Sequence, residues 1–253
     1  MLTREASDAL AEFHLPRSGI EDAVEHMRFP NFHSQVAGRS EMLFLAFFSV
    51  RRLLNRIHNA VYASRSSPRL DVPSYATIQS LESVLTELIR QLASWYHSLT
   101  DTIRPDFASA PADMHDTWLR LRYWSAKHIA TRPCLLYAVS VDAATDLPPF
   151  VMEYSEMCLQ SCRNYLQTAV YALRERTPYN WMTVQASLAT ALVLTIASAS
   201  AAVQHLVLDL EDLLTEAIAA LQPWTSGDPS ASMVKMILET LLQKQRLQIA
   251  GIV

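Results

Sequence analysis

The chain has 253 residues, half of them apolar and 18% charged, a globular composition long enough to bury a substantial core. A formal net charge of −4 excludes the global attraction to nucleic acid that a basic domain carries. Four glycines are too few for the phosphate loops of α/β nucleotide folds or the many tight turns of β folds, so the composition predicts an all-α protein.

In chain order, residues 1–33 read as an irregular lead-in with short helical turns, punctuated by Pro16, Gly19 and Pro30. Glu5, Asp8 and Glu12 argue against a secretory signal or a mitochondrial presequence there. A first long helix is expected from about Gln35 to Ala63, because Leu43, Phe47, Val50, Leu54, Ile57 and Val61 recur at three- and four-residue steps. Its other side carries Arg51, Arg52, Arg56 and Asn59, with Asn55 and Asn59 aligned beside Arg52 and Arg56. After a Ser- and Pro-rich loop, Ser64 to Ser74, a second helix runs to about Leu99 on the stripe Leu81, Leu85, Leu88, Leu92, Trp95 and Leu99.

The third helix starts near Asp113 and contains LRLRYWSAKHIATRPCLLYAV, Leu119 to Val139. Proline disfavours the α conformation in the residue before it, so Arg132 is expected to end or bend this helix. Its guanidinium would then meet the last-turn carbonyls, which lack intrahelical donors. A fourth helix is expected from about Pro149 to Arg176 and a fifth from about Trp181 to Leu206. Two more, Asp209 to Leu221 and Ser230 to Ala250, flank the turn PWTSGDP. Neither an internal repeat nor a sustained heptad interrupts this pattern, and the whole chain reads as a single bundle of about seven main helices. Residues 178–204 contain no charged side chain and are long enough to span a bilayer. Scattered Thr, Ser, Gln and Asn make a helix buried among other helices the better reading, so no membrane partner is expected.

The chemistry-bearing patterns are sparse. GxSxG, HExxH, phosphate-cradling glycine loops and zinc-type cysteine pairs are all absent from the sequence. Cys158 and Cys162, four apart on one helix, cannot complete a tetrahedral zinc site and read as buried thiols, and an odd total of three cysteines suits a reducing compartment. Glu21, Asp22 and Glu25 faintly imitate a magnesium-binding carboxylate cluster, but no second cluster follows downstream. His205, Asp209 and Asp212 could share a helix face, although the two aspartates suit the first turn of the next helix better. The run RRLLNRIHNAVY could meet phosphates, but it reads first as a solvated face or as arginines paired with carboxylates of the next helix. Neither a catalytic residue nor a metal or cofactor is assigned. An all-α enzyme or carrier would draw on His58, His97, His128 and Asp22.

Three segments resemble the fungal-specific transcription factor domain, the middle homology region of fungal zinc-cluster regulators. One is the helix with Leu119, Leu121 and Tyr123 followed by Arg132-Pro133 and then Leu135 and Tyr137. Another is SEMLFLAFFSVRRLLNRIHNAVY, Ser40 to Tyr62, with FHLPRSGIEDAV, Phe13 to Val24, ahead of it. The third comprises Cys158 to Leu173 and Trp181 to Val203. The resemblance makes Tyr123, Arg132, Pro133, Arg51, Arg52, Asn55 and Arg56 structural motif residues. It implies a nuclear, non-catalytic regulatory domain acting on a metabolic or secondary-metabolite gene set. A protein partner or self-association is then expected, and a small-molecule effector is compatible with it. The six-cysteine DNA-binding module of such regulators is not in this sequence, so direct DNA binding is not expected of this chain. It reads as the C-terminal part of a regulator, as a fragment, a truncated gene product or a stand-alone protein.

Overall fold

The computed structural model describes residues 38–62, 72–142, 146–177 and 180–249. The lead-in, residues 64–71 of the Ser/Pro-rich loop, the Phe13–Val24 motif and the Glu21, Asp22, Glu25 cluster lie outside the described residues. The fold is all-α: among the described residues there are seven α-helices and no strand. They are α1 (Arg39–Tyr62), α2 (Tyr75–Ser98), α3 (Met114–Ser140), α4 (Pro149–Leu173), α5 (Trp181–Ser198), α6 (Leu210–Leu221) and α7 (Pro229–Ile249). Short 3-10 turns, Gln204–Leu206 and Gln222–Trp224, flank α6. Contacts group the chain into two compact units, and the division falls inside α3, between Ala130 and Thr131.

In the first unit α1 and α2 are antiparallel neighbours. Trp95 Nε1 donates to Ser49 Oγ at 2.9 Å, and Arg56 reaches Gln91 further along α1 and further back along α2. The apolar stripes meet between them: Leu43, Val50, Leu54, Ile57 and Val61 are buried against a core that includes Leu85, Leu88, Leu92 and Trp95. Phe47, second in the α1 stripe, and Leu81, first in the α2 stripe, are half-buried. The start of α3 is fixed by Asp113, whose carboxylate accepts the Asp116 backbone N–H at 2.8 Å and so satisfies a first-turn donor.

In the second unit α5 contacts α4, α6 and α7. Bonds from Gln185 to Ser230 and from Ser198 to Gln245 show that α5 and α7 run in the same direction. The uncharged polar residues of α5 can be buried because their hydroxyls bond back into the helix: Ser187 to the Thr183 carbonyl, Thr190 to Ala186 and Thr195 to Ala191. By length and composition α5 could cross a membrane, yet half of it is buried inside the protein. Trp181, Leu192 and Ile196 lie exposed, so α5 is covered on part of its circumference rather than enclosed. It also stops at Ser198, earlier than expected, and the chain turns through Gln204–Leu206 before α6.

The C-terminal end of α4 shows how helix ends are satisfied here. Asn180 Nδ2 donates to the Ala172 carbonyl at 2.7 Å and to the Glu175 carbonyl at 3.0 Å, and Trp224 Nε1 donates to the Leu173 carbonyl at 2.8 Å. Those are carbonyls that no further helical turn reaches. In the PWTSGDP turn, Gly227 has φ +82°, a left-handed conformation that a side chain would strain.

Candidate functional site

The Arg132-Pro133 pair does not end its helix. α3 continues through both residues to Ser140, which corrects the expectation that the helix could end at Arg132. Pro133 carries no N–H, so the carbonyl four residues back, Ile129, loses its helical donor. The phenol of Tyr62, the last residue of α1, supplies one: its hydroxyl donates to the Ile129 carbonyl at 2.8 Å, and the bond is buried. A side chain 67 positions away thus allows the helix to pass the proline. With no last turn at Arg132, its guanidinium has no terminal carbonyls to meet.

Arg132 instead points into the second unit and is buried at 7% exposure, beside the thiols of α4. Burial pushes the Cys158 thiol up. Hydrogen bonds involving Cys162 and Thr131, together with the positive charge of Arg132, outweigh that and bring it below the ordinary thiol value. All three cysteines are reduced and buried, in line with the reading of them as interior thiols. Ser125, His128, Thr131 and Arg132 form a run of buried polar residues along α3.

Tyr123, the motif tyrosine, sits in an aromatic cluster of the first unit, with ring centroids 4.9 Å from both Phe107 and Trp124 and 5.6 Å from Tyr96. The Lys127 ammonium lies over Tyr123 and Trp124 at 5.8 and 5.9 Å, close enough for a cation–π attraction. Burial raises the Tyr123 phenol and lowers the Lys127 ammonium, and the neighbouring Tyr96 adds to the first effect. The cluster packs Tyr123 and the Lys127 side chain among aromatic rings.

The RRLLNR motif of α1 divides between two environments. Asn55 is buried, and its Nδ2 has no hydrogen-bond partner among the described residues, so it is not part of a solvated face with Asn59. Arg51 is half-buried. Arg52, half-buried, and Arg56, exposed, line a groove of about 400 Å³ between α1 and α2. Leu53 and Trp95 also line it, and Arg90 stands on the α2 side. Arg56 Nη1 donates to the Gln91 amide oxygen of the next helix at 2.7 Å. Arg90 grips Glu87 through two bonds of 2.7 Å. With the Gln91 amide donating as well, those bonds hold Glu87 down at about 2, so it stays ionised at neutral pH. The arginines of α1 were legible in the sequence. Arg90 was not, because only the antiparallel register of α2 brings it opposite them.

Among the described residues no group of three or more His, Cys, Asp or Glu is arranged to hold a metal. Of the His205, Asp209, Asp212 set, Asp209 is taken by Arg163 of α4, which donates to its two oxygens at 2.6 and 2.8 Å. His58, His97 and His128 stand on α1, α2 and α3 respectively, and Asp22 lies outside the described residues.

The chain is 27% identical over 222 residues to "Putative transcription factor ecdB" of Aspergillus rugulosus. The match covers 82% of this chain and 38% of that protein, so the chain spans well under half the length of the curated relative it matches. No family model matches the chain, and no solved structure matches it.

Proposed function

We propose that this chain is a non-catalytic regulatory domain of a fungal transcription regulator, of the middle-homology type, controlling a metabolic or secondary-metabolite gene set from the nucleus. The observation that carries this reading is the similarity to a protein named as a transcription factor, extending over 82% of the chain. It is supported by the Arg-Pro helix and the RRLLNR helix, which occur in the order that the resemblance implies. The helical architecture suits regulation: a bundle with two packings close in energy is shifted by whatever binds one of them better. DNA recognition belongs, on this reading, to a zinc-cluster module acting together with this domain, and a protein partner or a second copy of the chain completes the active assembly.

Transcript profiling of a strain lacking the coding region tests the proposal. A coherent set of metabolic genes rising or falling several-fold is the expected outcome. An unchanged transcriptome, with accumulation of one metabolite, would favour an all-α enzyme or carrier instead.

A further inference from the structure

Most of the large apolar side chains that the described residues leave exposed stand on two neighbouring helices: Trp181, Leu192 and Ile196 on α5, and Met233 and Met236 on α7. They form one face. Along α5 the three fall at steps of eleven and four residues, so they share a side of the helix, and Gln185 stands in the same row. The Gln185 amide donates to Ser230 Oγ at 2.6 Å. Met233 and Met236 follow Ser230 at three-residue steps on α7, which runs in the same direction as α5. The two methionines therefore lie beside the α5 row, and the exposed apolar surface is continuous across both helices. We propose that two copies of the chain pair through this face, as an isologous dimer. The inference stands on the surface alone and holds for an enzyme as well as for a regulator.

Charge selects the partner. In a two-fold pair each patch meets its own likeness, so a charged patch repels itself. This face escapes that cost: residues 178–204 hold no Asp, Glu, Lys or Arg. Lys235, the cation between the two methionines, is largely covered and paired with Glu239. Two copies of a chain with net charge −4 repel weakly overall, so they meet most easily where neither presents charge. Area gives the strength. α5 has 18 residues and is about 27 Å long. With α7 alongside at about 8–10 Å between axes, the face covers on the order of 500 Å². Buried from both copies it makes about 1,000 Å², the size at which a specific interface begins to hold. An area that small fits a reversible dimer with a dissociation constant in the micromolar range, not an obligate one. Trp181 supplies the aromatic anchor such interfaces favour, and the methionines adapt their shape to the facing copy.

Sedimentation equilibrium of the purified chain from about 1 to about 100 µM, a range that brackets such affinities, tests the pairing. The mass is expected to rise with concentration from 28.5 kDa toward twice that value. Because no ion pair holds the dimer, added salt should leave the association unchanged or tighten it. Leu192→Glu and Met236→Glu each place an unpaired charge in the interface and should weaken it roughly tenfold or more. Leu208→Glu, at an exposed leucine outside the face, should leave it as it was. Circular dichroism checks that each variant keeps its helices, and the Met236 variant carries the comparison if the Leu192 variant unfolds. Four results would each overturn the proposal: a mass fixed at 28.5 kDa across the range, association that Leu208→Glu weakens as much as Leu192→Glu does, association lost in high salt, or a monomer that floats with phosphatidylcholine vesicles.

Discussion

The hydroxyl of Tyr62 donates to the carbonyl of Ile129, the acceptor that Pro133 leaves without a helical partner. The closing tyrosine of the RRLLNRIHNAVY segment and the proline of the Arg-Pro motif are therefore one device. The tyrosine provides the donor whose absence the proline creates.

Removing that donor should show in stability. Tyr62→Phe keeps the ring and strands a buried carbonyl, and should cost about 1–2 kcal/mol in urea unfolding. Pro133→Ala restores a backbone N–H at the right place, so the same Tyr62→Phe change should cost much less in that background. Equal costs in the two backgrounds would separate the tyrosine from the proline.

The end of α4 offers an independent test. Asn180 is fully buried and serves two carbonyls, so Asn180→Ala should destabilise the protein by about 1–3 kcal/mol. Trp224→Phe removes one donor to the Leu173 carbonyl and should act in the same direction, measured by thermal melting.

Asp209 gives a pH dependence of known sign. The hydrogen bonds from Arg163 lower it below the ordinary carboxylate value, with burial opposing and the Arg163 charge adding to the effect. Its contribution is complete above the unfolded value of about 3.9 and is lost as pH falls through the lower folded value. The pair is partly exposed, so the contribution is about 1 kcal/mol after solvent screening. The stability difference between the native chain and Asp209→Asn should therefore be present at about pH 6 and shrink toward about pH 2.5.

Cys134, Cys158 and Cys162 are all buried, and they are the only cysteines in the sequence. A thiol reagent such as Ellman's should react with none of them rapidly in the folded protein and with all three in urea. Fast native labelling would contradict the packing of α4 against the Arg132 side of α3.

Much of the fold was legible because hydrophobic spacing is local information. The stripes of α1 and α2 lead directly to their buried faces, and Pro149 and Pro229 mark the helix starts. What was not legible depends on residues distant in sequence. The rule that proline stops a helix holds for an isolated segment; here Tyr62 overrides it from another helix. Asn55 looked like part of a polar face because its neighbours at 52, 56 and 59 are polar, yet it turns inward. The early end of α5 at Ser198 has neither glycine nor proline to announce it. In the groove, the α1 arginines stand out in the sequence, while Arg90 joins them only through the pairing of two helices.

The central claim is that the chain regulates transcription and catalyses nothing. Fusing it to a heterologous DNA-binding domain and measuring reporter output at matched protein levels tests that most directly. The account predicts a several-fold change, up or down, relative to the DNA-binding domain alone. Output indistinguishable from that control, from a fusion shown to be folded and nuclear, would contradict it.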